Sequence, residues 1–270
     1  MSTSGLMKGK RGLIMGVANN HSIAWGIAEA LHKAGAELAF TYAGETFKKR
    51  VEPLVAPLNP AAVMDCDVTQ QSSIDAAFAE LKTKWDSIDF LVHAIAFSDK
   101  NQLQGRYIDT TPENFQNTLN ISAYSFTAVA QRAEKMMTKG GSMVTLTYYG
   151  AEKVMPHYNV MGVAKAALEA ITRYMAEDLG KQGIRVNSIS AGPIKTLSFA
   201  GISDSRYILK WNELNSPLRR AVTIEEVGNT ALYLLSDLGS AVTGENIHVD
   251  VGYHAIGMKA VDAPDIATVK

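Results

Sequence analysis

Tyr158 and Lys165 stand seven positions apart in a stretch of helical composition running from about residue 157 to 181. At 100° per residue, seven steps fall about 20° short of two turns, so a helix there carries phenol and ammonium on one face, roughly 10 Å apart along the axis. A lysine so placed can grip ribose hydroxyls. Its charge also favours the phenolate, which draws a tyrosine with a free pKa near 10 toward acid or hydrogen-bond-donor work at neutral pH. Gly162, Ala164, Ala166 and Ala167 leave room on the helix for a cofactor or a neighbouring helix. A Tyr and a Lys two turns apart recur on many helices, so placement has to decide.

The elements that would place them alternate. Short β-branched or aromatic runs at residues 12–17, 37–42, 62–64, 90–95, 143–147, 184–189 and 246–251 are separated by segments of helical period, the signature of βαβ units around a parallel sheet. Ser22 is placed to cap the first helix, with Ile23, Ile27, Ala28 and Leu31 on its inner face and Gly35 as its stop. Pro53 and Pro57 predict a short or broken helix around Lys48–Arg50, whereas Pro112 opens one long helix reaching Met137. Thr223 and Glu226 spell a capping box before Val227, Ala231 and Leu234. The expectation is one domain over residues 1–270: a Rossmann-type, doubly wound α/β fold with seven parallel strands and helices on both faces. Two long connections, 96–111 and 192–218, follow strand ends at the edge where such sheets bind ligands. The tail from about 257 to 270 lacks periodicity and reads as weakly structured. In this frame the Tyr158 helix follows the fifth strand, whose tip carries Tyr148, so two phenols converge on one crevice.

The turn after the first strand reads Gly16-Val17-Ala18-Asn19-Asn20-His21-Ser22-Ile23-Ala24-Trp25-Gly26. It offers what a pyrophosphate needs: a glycine for close approach, a polar turn, and a helix N-terminus with unpaired N–H groups. Gly26 would let that helix pack closely on the sheet. The acid that commonly reads the adenosine ribose is missing from the tip of the second strand, Thr41-Tyr42-Ala43-Gly44-Glu45. Glu45 would repel a 2′-phosphate, which favours NADH over NADPH. Lys48–Arg50 read as a solvated helix face, and Asp67-Val68 sit where they either touch an adenine edge or begin the next helix.

Composition excludes several classes. The 26 Lys and Arg against 27 Asp and Glu leave a net charge of −1, with no global field for nucleic acid or an anionic membrane. Cys66 is the single cysteine, which rules out an intrachain disulfide or a Cys-x-x-Cys pair and fits a reducing, cytoplasmic setting. No run approaches the roughly 20 apolar residues of a spanning helix. The six histidines lack metal-ligand spacing, so no metal is expected. His93, within the fourth strand, reads as a hydrogen-bonded core residue, and no Gly-x-Ser-x-Gly elbow supports a hydrolase.

The Tyr-x6-Lys spacing with Tyr148 upstream, the Gly16-x5-Ser22-Ile23-Ala24-x-Gly26 turn and the Ser190-Ala191-Gly192-Pro193-Ile194 loop resemble the short-chain dehydrogenase/reductase superfamily, and within it the enoyl-acyl-carrier-protein reductases of bacterial type II fatty acid synthesis. The resemblance runs on to Val249-Asp250. Ordinary superfamily members carry Tyr-x3-Lys; here Gly162 stands four after Tyr158. The resemblance implies Tyr158 as proton donor or enolate stabiliser, Tyr148 as the second phenol, and Lys165 as the cofactor-ribose ligand. It implies Gly16, Ser22 and Ile23 at the pyrophosphate, and Ala43, Asp67 and Val68 at the adenosine end. Ile95 would touch the cofactor from the fourth strand, and Ile194, Lys195, Thr196, Leu197 and Ser198 would cover nicotinamide and phosphates. Ser98 falls where the family binds acyl substrate. Ala43 and Ala96 depart from the Gln and Gly the family often has.

The implied reaction is NADH-dependent reduction of the trans-2 double bond of enoyl-acyl carrier protein by a homotetramer. The spacing suits it: hydride reaches C3 while charge develops on the C1 oxygen, two bonds farther than in a ketone, so the phenol moves along the helix while Lys holds the ribose. The alternatives are a ketoreductase or alcohol dehydrogenase of the superfamily and a non-catalytic dinucleotide sensor. Acyl carrier protein is acidic, so Lys195, Arg206, Lys210, Arg219 and Arg220 are candidates to meet it. Phe97, Tyr107, Phe199, Ile202, Tyr207 and Ile208 are candidates to line an acyl channel.

Overall fold

The structure is a computed structural model that describes residues 5–200 and 204–266. Seven strands form one parallel sheet: β1 (Arg11–Met15), β2 (Glu37–Tyr42), β3 (Val63–Asp65), β4 (Phe90–His93), β5 (Gly141–Thr147), β6 (Ile184–Ala191) and β7 (Asn246–Val249). Their order is β3-β2-β1-β4-β5-β6-β7. The central strands β1, β4 and β5 are buried along nearly their whole length because both of their faces are covered, as a parallel sheet requires. Leu13 and Met15 of β1 face one core with Phe78, Trp85, Phe126 and Leu168. Ile14 faces the other with Ile27, Leu31, Phe40 and Val227.

Helices α1 (Ile23–Lys33), α2 (Glu45–Val55), α3 (Gln71–Lys84), α4 (Pro112–Leu119), α5 (Ser125–Ala133), α6 (Asn159–Gly180), α7 (Leu197–Ala200), α8 (Ser205–Asn215) and α9 (Ile224–Leu235) complete the doubly wound fold. The Thr223–Glu226 capping box forms as expected.

Several elements depart from the sequence reading. Helix α2 runs unbroken through Pro53, two residues before its end, losing the one bond to Lys49 that a proline N cannot make. The stretch from Pro112 is interrupted by a π turn at Asn120–Tyr124. There the Ser122 hydroxyl accepts from the Phe97 N–H and donates to the Phe97 carbonyl, both at 2.9 Å, and so fixes the segment after β4. Gly26 packs against a helix, not the sheet: a Cβ there would meet the Ile224 carbonyl oxygen at 2.4 Å, and one at Gly228 would meet the Gly26 oxygen at 2.4 Å. The connection 192–218 contains the eleven-residue helix α8. Its inward positions Ile208, Asn212 and Asn215 keep helical spacing, but two of the three are polar and hide the period. Residues 257–265 form turns and bends without helix or strand, tied to the body where Arg219 pairs with Asp262 at 2.9 Å.

Candidate active site

The chain leaves β1, builds β2 and β3 to one side, then returns to place β4 beside β1. The crevice at that reversal is where an open α/β sheet receives ligands. Its floor is tight: Gly16 has φ +100°, and a Cβ there would stand 2.1 Å from the Ala94 carbonyl oxygen. Gly16, Ser22, Ile23, Ile95, Ser98, Tyr148, Tyr158, Lys165, Ile194, Thr196 and Leu197 line one cavity. Residues distant in sequence are thus brought together from the tips of β1, β4, β5 and β6.

The Ser22 hydroxyl accepts from the Ala18 and Asn19 N–H groups, each at 3.0 Å, in place of capping its own helix. It organises the turn while the first N–H groups of α1 remain at the cavity.

Tyr158 and Lys165 face the same space, but not as two points on one regular helix. Tyr158 is the N-cap residue of α6, between His157 at φ +56° and Asn159 at φ +38°. The strained entry is anchored by Asn159, whose Nδ2 donates to the Leu103 carbonyl at 3.1 Å and the Gly105 carbonyl at 3.3 Å. The Tyr158 ring meets Tyr148 edge-on, with centroids 5.0 Å apart. Gly150 and Gly162 make the seat: a Cβ at Gly150 would lie 2.4 Å from the Tyr158 ring, and one at Gly162 would lie 2.7 Å from the Gly150 oxygen. Leu103, Val160 and Met161 enclose the ring in an apolar cluster.

The electrostatics correct one expectation. Burial first, then Tyr148 and the Glu169 charge, push the Tyr158 phenol above the ordinary tyrosine range. Lys165 does not draw it toward ionisation, and Tyr158 stands as a protonated donor. Burial likewise raises Tyr148, reinforced by Tyr253 and Asp250. Burial lowers Lys165 to about 8, with Glu169 opposing. The Lys165 ammonium donates to the Leu146 carbonyl at 2.7 Å. His93 is the core residue expected: Nε2 lies 2.8 Å from Ser125 Oγ, and Nδ1 lies 3.1 Å from Thr145 Oγ1. Burial and the Lys165 charge lower it to about 3, so it stays neutral.

The polar groups fit a nicotinamide dinucleotide. The buried ammonium of Lys165 has three N–H donors and spends one on Leu146. The Tyr148 hydroxyl is buried with no hydrogen-bond partner among the described residues. The exposed turn of α1 supplies donors for phosphate at the other end of the cavity.

Other expected site residues lie elsewhere. Ala43 is exposed beyond β2, and Val68 is buried in the core. Asp67 Oδ1 accepts from the Thr69 N–H and hydroxyl. These three share the sheet's carboxyl edge without lining the cavity, because β2 and β3 lie outside the β1–β4 reversal. Lys195 points into solvent beside the cavity, and the Ser198 side chain lies outside the described residues. The Ser98 hydroxyl is engaged by Thr118 Oγ1 at 2.8 Å. Of the proposed channel residues, Phe97 and Phe199 line the cavity, whereas Tyr107, Tyr207 and Ile208 do not. Tyr207 instead stacks on Trp211, and Ile202 lies outside the described residues. Among the basic candidates, Lys210, Arg219 and Arg220 are held by Glu213, Asp262 and Glu226.

Gly150, Asn159 and Glu169 escaped the sequence reading, since their importance lies in what they touch. Among the described residues no group of His, Cys, Asp and Glu could hold a metal, and no helix is long and apolar enough to cross a membrane.

With that geometry in place, the profile described as Enoyl-(Acyl carrier protein) reductase matches residues 16–254. The chain belongs to the enoyl-(acyl carrier protein) reductase family. Members of this family are oxidoreductases, and the similarity spans nearly the whole chain. A relative from Rhizobium meliloti (strain 1021), named enoyl-[acyl-carrier-protein] reductase [NADH] 1, is 69% identical over 99% of this chain and 98% of its own length. A Rickettsia prowazekii relative bearing the same enzyme name and the NADH designation is 54% identical over 94% of this chain and 98% of its own. Among solved enoyl-(acyl-carrier-protein) reductases, that of Anaplasma phagocytophilum in complex with NAD aligns with TM-score 0.93 at 60% identity, covering 98% of this chain and all of the other. The enzyme of Aquifex aeolicus aligns with TM-score 0.92 at 46% identity, over 94% of this chain and all of its own.

Proposed function

We propose that the chain uses NADH to reduce the trans-2 double bond of an enoyl thioester carried on acyl carrier protein, as a cytoplasmic homotetramer acting in fatty acid elongation. The observation that carries this reading is the pair of phenols, the buried Tyr158 and the half-buried Tyr148 with its shielded hydroxyl, facing one cavity with the buried Lys165 ammonium. Bound NADH would supply hydride to C3 of the substrate.

Lys165 turns its free N–H donors to the nicotinamide ribose, and Gly16, Ser22 and Ile23 form the turn that receives the pyrophosphate. Tyr158 donates to the thioester carbonyl oxygen. As the C2–C3 π electrons shift toward that oxygen an enolate develops, and a hydrogen bond from a buried phenol strengthens with the charge. A proton then adds at C2 to give the saturated thioester. Burial keeps Tyr158 protonated at neutral pH, so the donor is in place before charge develops. Tyr148 supplies the second phenol. The apolar walls, Phe97, Leu103 and Met161, exclude water from the forming enolate. Ile95, Ile194, Thr196, Leu197 and Ser198 close over the cofactor, with Lys195 at the rim. Ala43, Asp67 and Val68 mark the adenosine end, and Ser98 the substrate end. The exposed Lys195 and Arg206 are the cations left to meet an acidic carrier.

Purified protein should oxidise NADH with a crotonyl thioester and not with an acetoacetyl thioester. Turnover of the ketone alone would make it a superfamily ketoreductase, and cofactor binding without turnover of either would make it a sensor.

A further inference from the structure

Helix α6 is fastened to β5 by two bonds one turn apart. Lys165 Nζ donates to the Leu146 carbonyl at 2.7 Å, and the Thr147 hydroxyl donates to Glu169 Oε1, also at 2.7 Å. Leu146 and Thr147 are consecutive and immediately precede Tyr148. Residues 165 and 169, at i and i+4, share a helix face, so a carboxylate lies one turn beyond the ammonium and is nearly as buried. A buried carboxylate is costly to keep unless it is bonded and compensated. No step of the reaction proposed above uses this one.

We propose that Glu169 is a positioning residue: held by Thr147 against β5, it keeps Lys165 charged and aimed at the cofactor ribose. The proposal rests on the reading of Lys165 as the ribose ligand. Burial alone pulls Lys165 toward the neutral amine, and Glu169 opposes that pull. The charge of Glu169 is itself set by burial, which raises it, and by the Thr147 bond, which lowers it. Glu152, beyond β5, raises it further, while His248 on β7 and Arg173 on α6 lower it. The Lys165 charge also bears on His93 of β4, and the Glu169 charge on Tyr158 at the helix entry. A neutral Lys165 would have one N–H fewer and a lone pair facing the ribose, so cofactor affinity should follow its protonation.

Glu169→Gln keeps the shape and an oxygen for Thr147 while removing the charge. NADH dissociation constants are measured by cofactor fluorescence from about pH 6 to about pH 9.5, with a parallel carbon NMR titration of Lys165 Cε in protein without cofactor. In the native chain affinity should fall as pH rises through about 8. In Glu169→Gln the fall and the NMR midpoint should move about one pH unit lower, so that binding is about twofold weaker than native near pH 7, about fivefold near pH 8 and about tenfold above about pH 9, with affinity near pH 6 within about twofold of native. Glu169→Asp, which retains the charge, should return the midpoint toward native. An unmoved midpoint, or an equal loss of affinity at every pH, overturns the proposal. Should Glu169→Gln fail to fold, Thr147→Val carries the same test: a lower midpoint supports the coupling and an unchanged one refutes it. If Lys165→Ala binds NADH as tightly as native protein, the ribose assignment fails instead, and the cofactor-free titration alone decides whether Glu169 controls Lys165.

Discussion

Gly162 lies against Gly150, with room for a Cβ only 2.7 Å from the Gly150 carbonyl oxygen. The contact joins the first turn of α6 to the segment after β5, and the Tyr158 ring rests in the same corner. A side chain at 162 must push these segments apart. Gly162→Ala should therefore lower kcat by about a hundredfold, the scale of a displacement near 1 Å at the reacting group. NADH affinity, set by Lys165 deeper in α6 and by the turn after β1, should change much less. Steady-state kinetics together with a cofactor titration check the split; equal losses in both would place the damage in the fold.

The two phenols should behave differently when their hydroxyls are removed. Tyr158→Phe should cost about 10²–10³ in kcat, as for loss of an oxyanion donor, and leave the NADH dissociation constant unchanged. Tyr148→Phe removes a hydroxyl that is buried without a hydrogen-bond partner among the described residues. It should raise the stability of the cofactor-free chain by about 1–2 kcal/mol, an effect visible as a higher urea midpoint. A destabilised Tyr148→Phe would show that the hydroxyl has a partner in solution.

Acid should find His93. Its folded pKa is lowered to about 3, while an unfolded histidine titrates near 6.5. Between those values the unfolded chain takes up a proton that the folded chain refuses, so this residue's contribution is full above about 6.5 and is lost as pH falls. His93→Gln should flatten the decline in unfolding free energy between about pH 6.5 and 4 relative to native protein. Parallel slopes in urea unfolding at both ends of that range would contradict the assignment.

The crossing of α1 and α9 rests on Gly26 and Gly228, whose hypothetical Cβ atoms each meet backbone at 2.4 Å. Gly228→Ala should destabilise by about 1–3 kcal/mol, since rigid helix backbone must separate. Because α1 opens at the cavity, its displacement should also weaken NADH binding without altering the acyl-substrate KM. Denaturant unfolding and a cofactor titration on the same variant test both parts.

Much of the site is legible in the sequence. Gly16, Ser22, Tyr148, Tyr158 and Lys165 were marked by residue type, spacing and place after a strand, and all five line the cavity. What misled was local inference about partners. Ser22 is the N-cap residue of α1 as its type suggests, but its hydroxyl gathers the turn behind it; Gly26 looks like a contact with the sheet and instead meets α9. Helix α8 went unread because Asn212 and Asn215 fill its buried positions, with their amides donating to carbonyls of their own helix at 3.0 and 2.9 Å.

The order of residues alone determined the alternation of strand and helix, the parallel sheet and the crevice at its reversal. Those follow from side-chain periodicity and chain connectivity, which are local properties. Only the tertiary structure decided that Tyr158 enters through a left-handed kink, that its phenol stays protonated, and that Glu169, one turn beyond Lys165, is held by Thr147 of β5. Ionisation, orientation and close approach depend on atoms brought together from distant parts of the chain, and no run of neighbouring residues contains them.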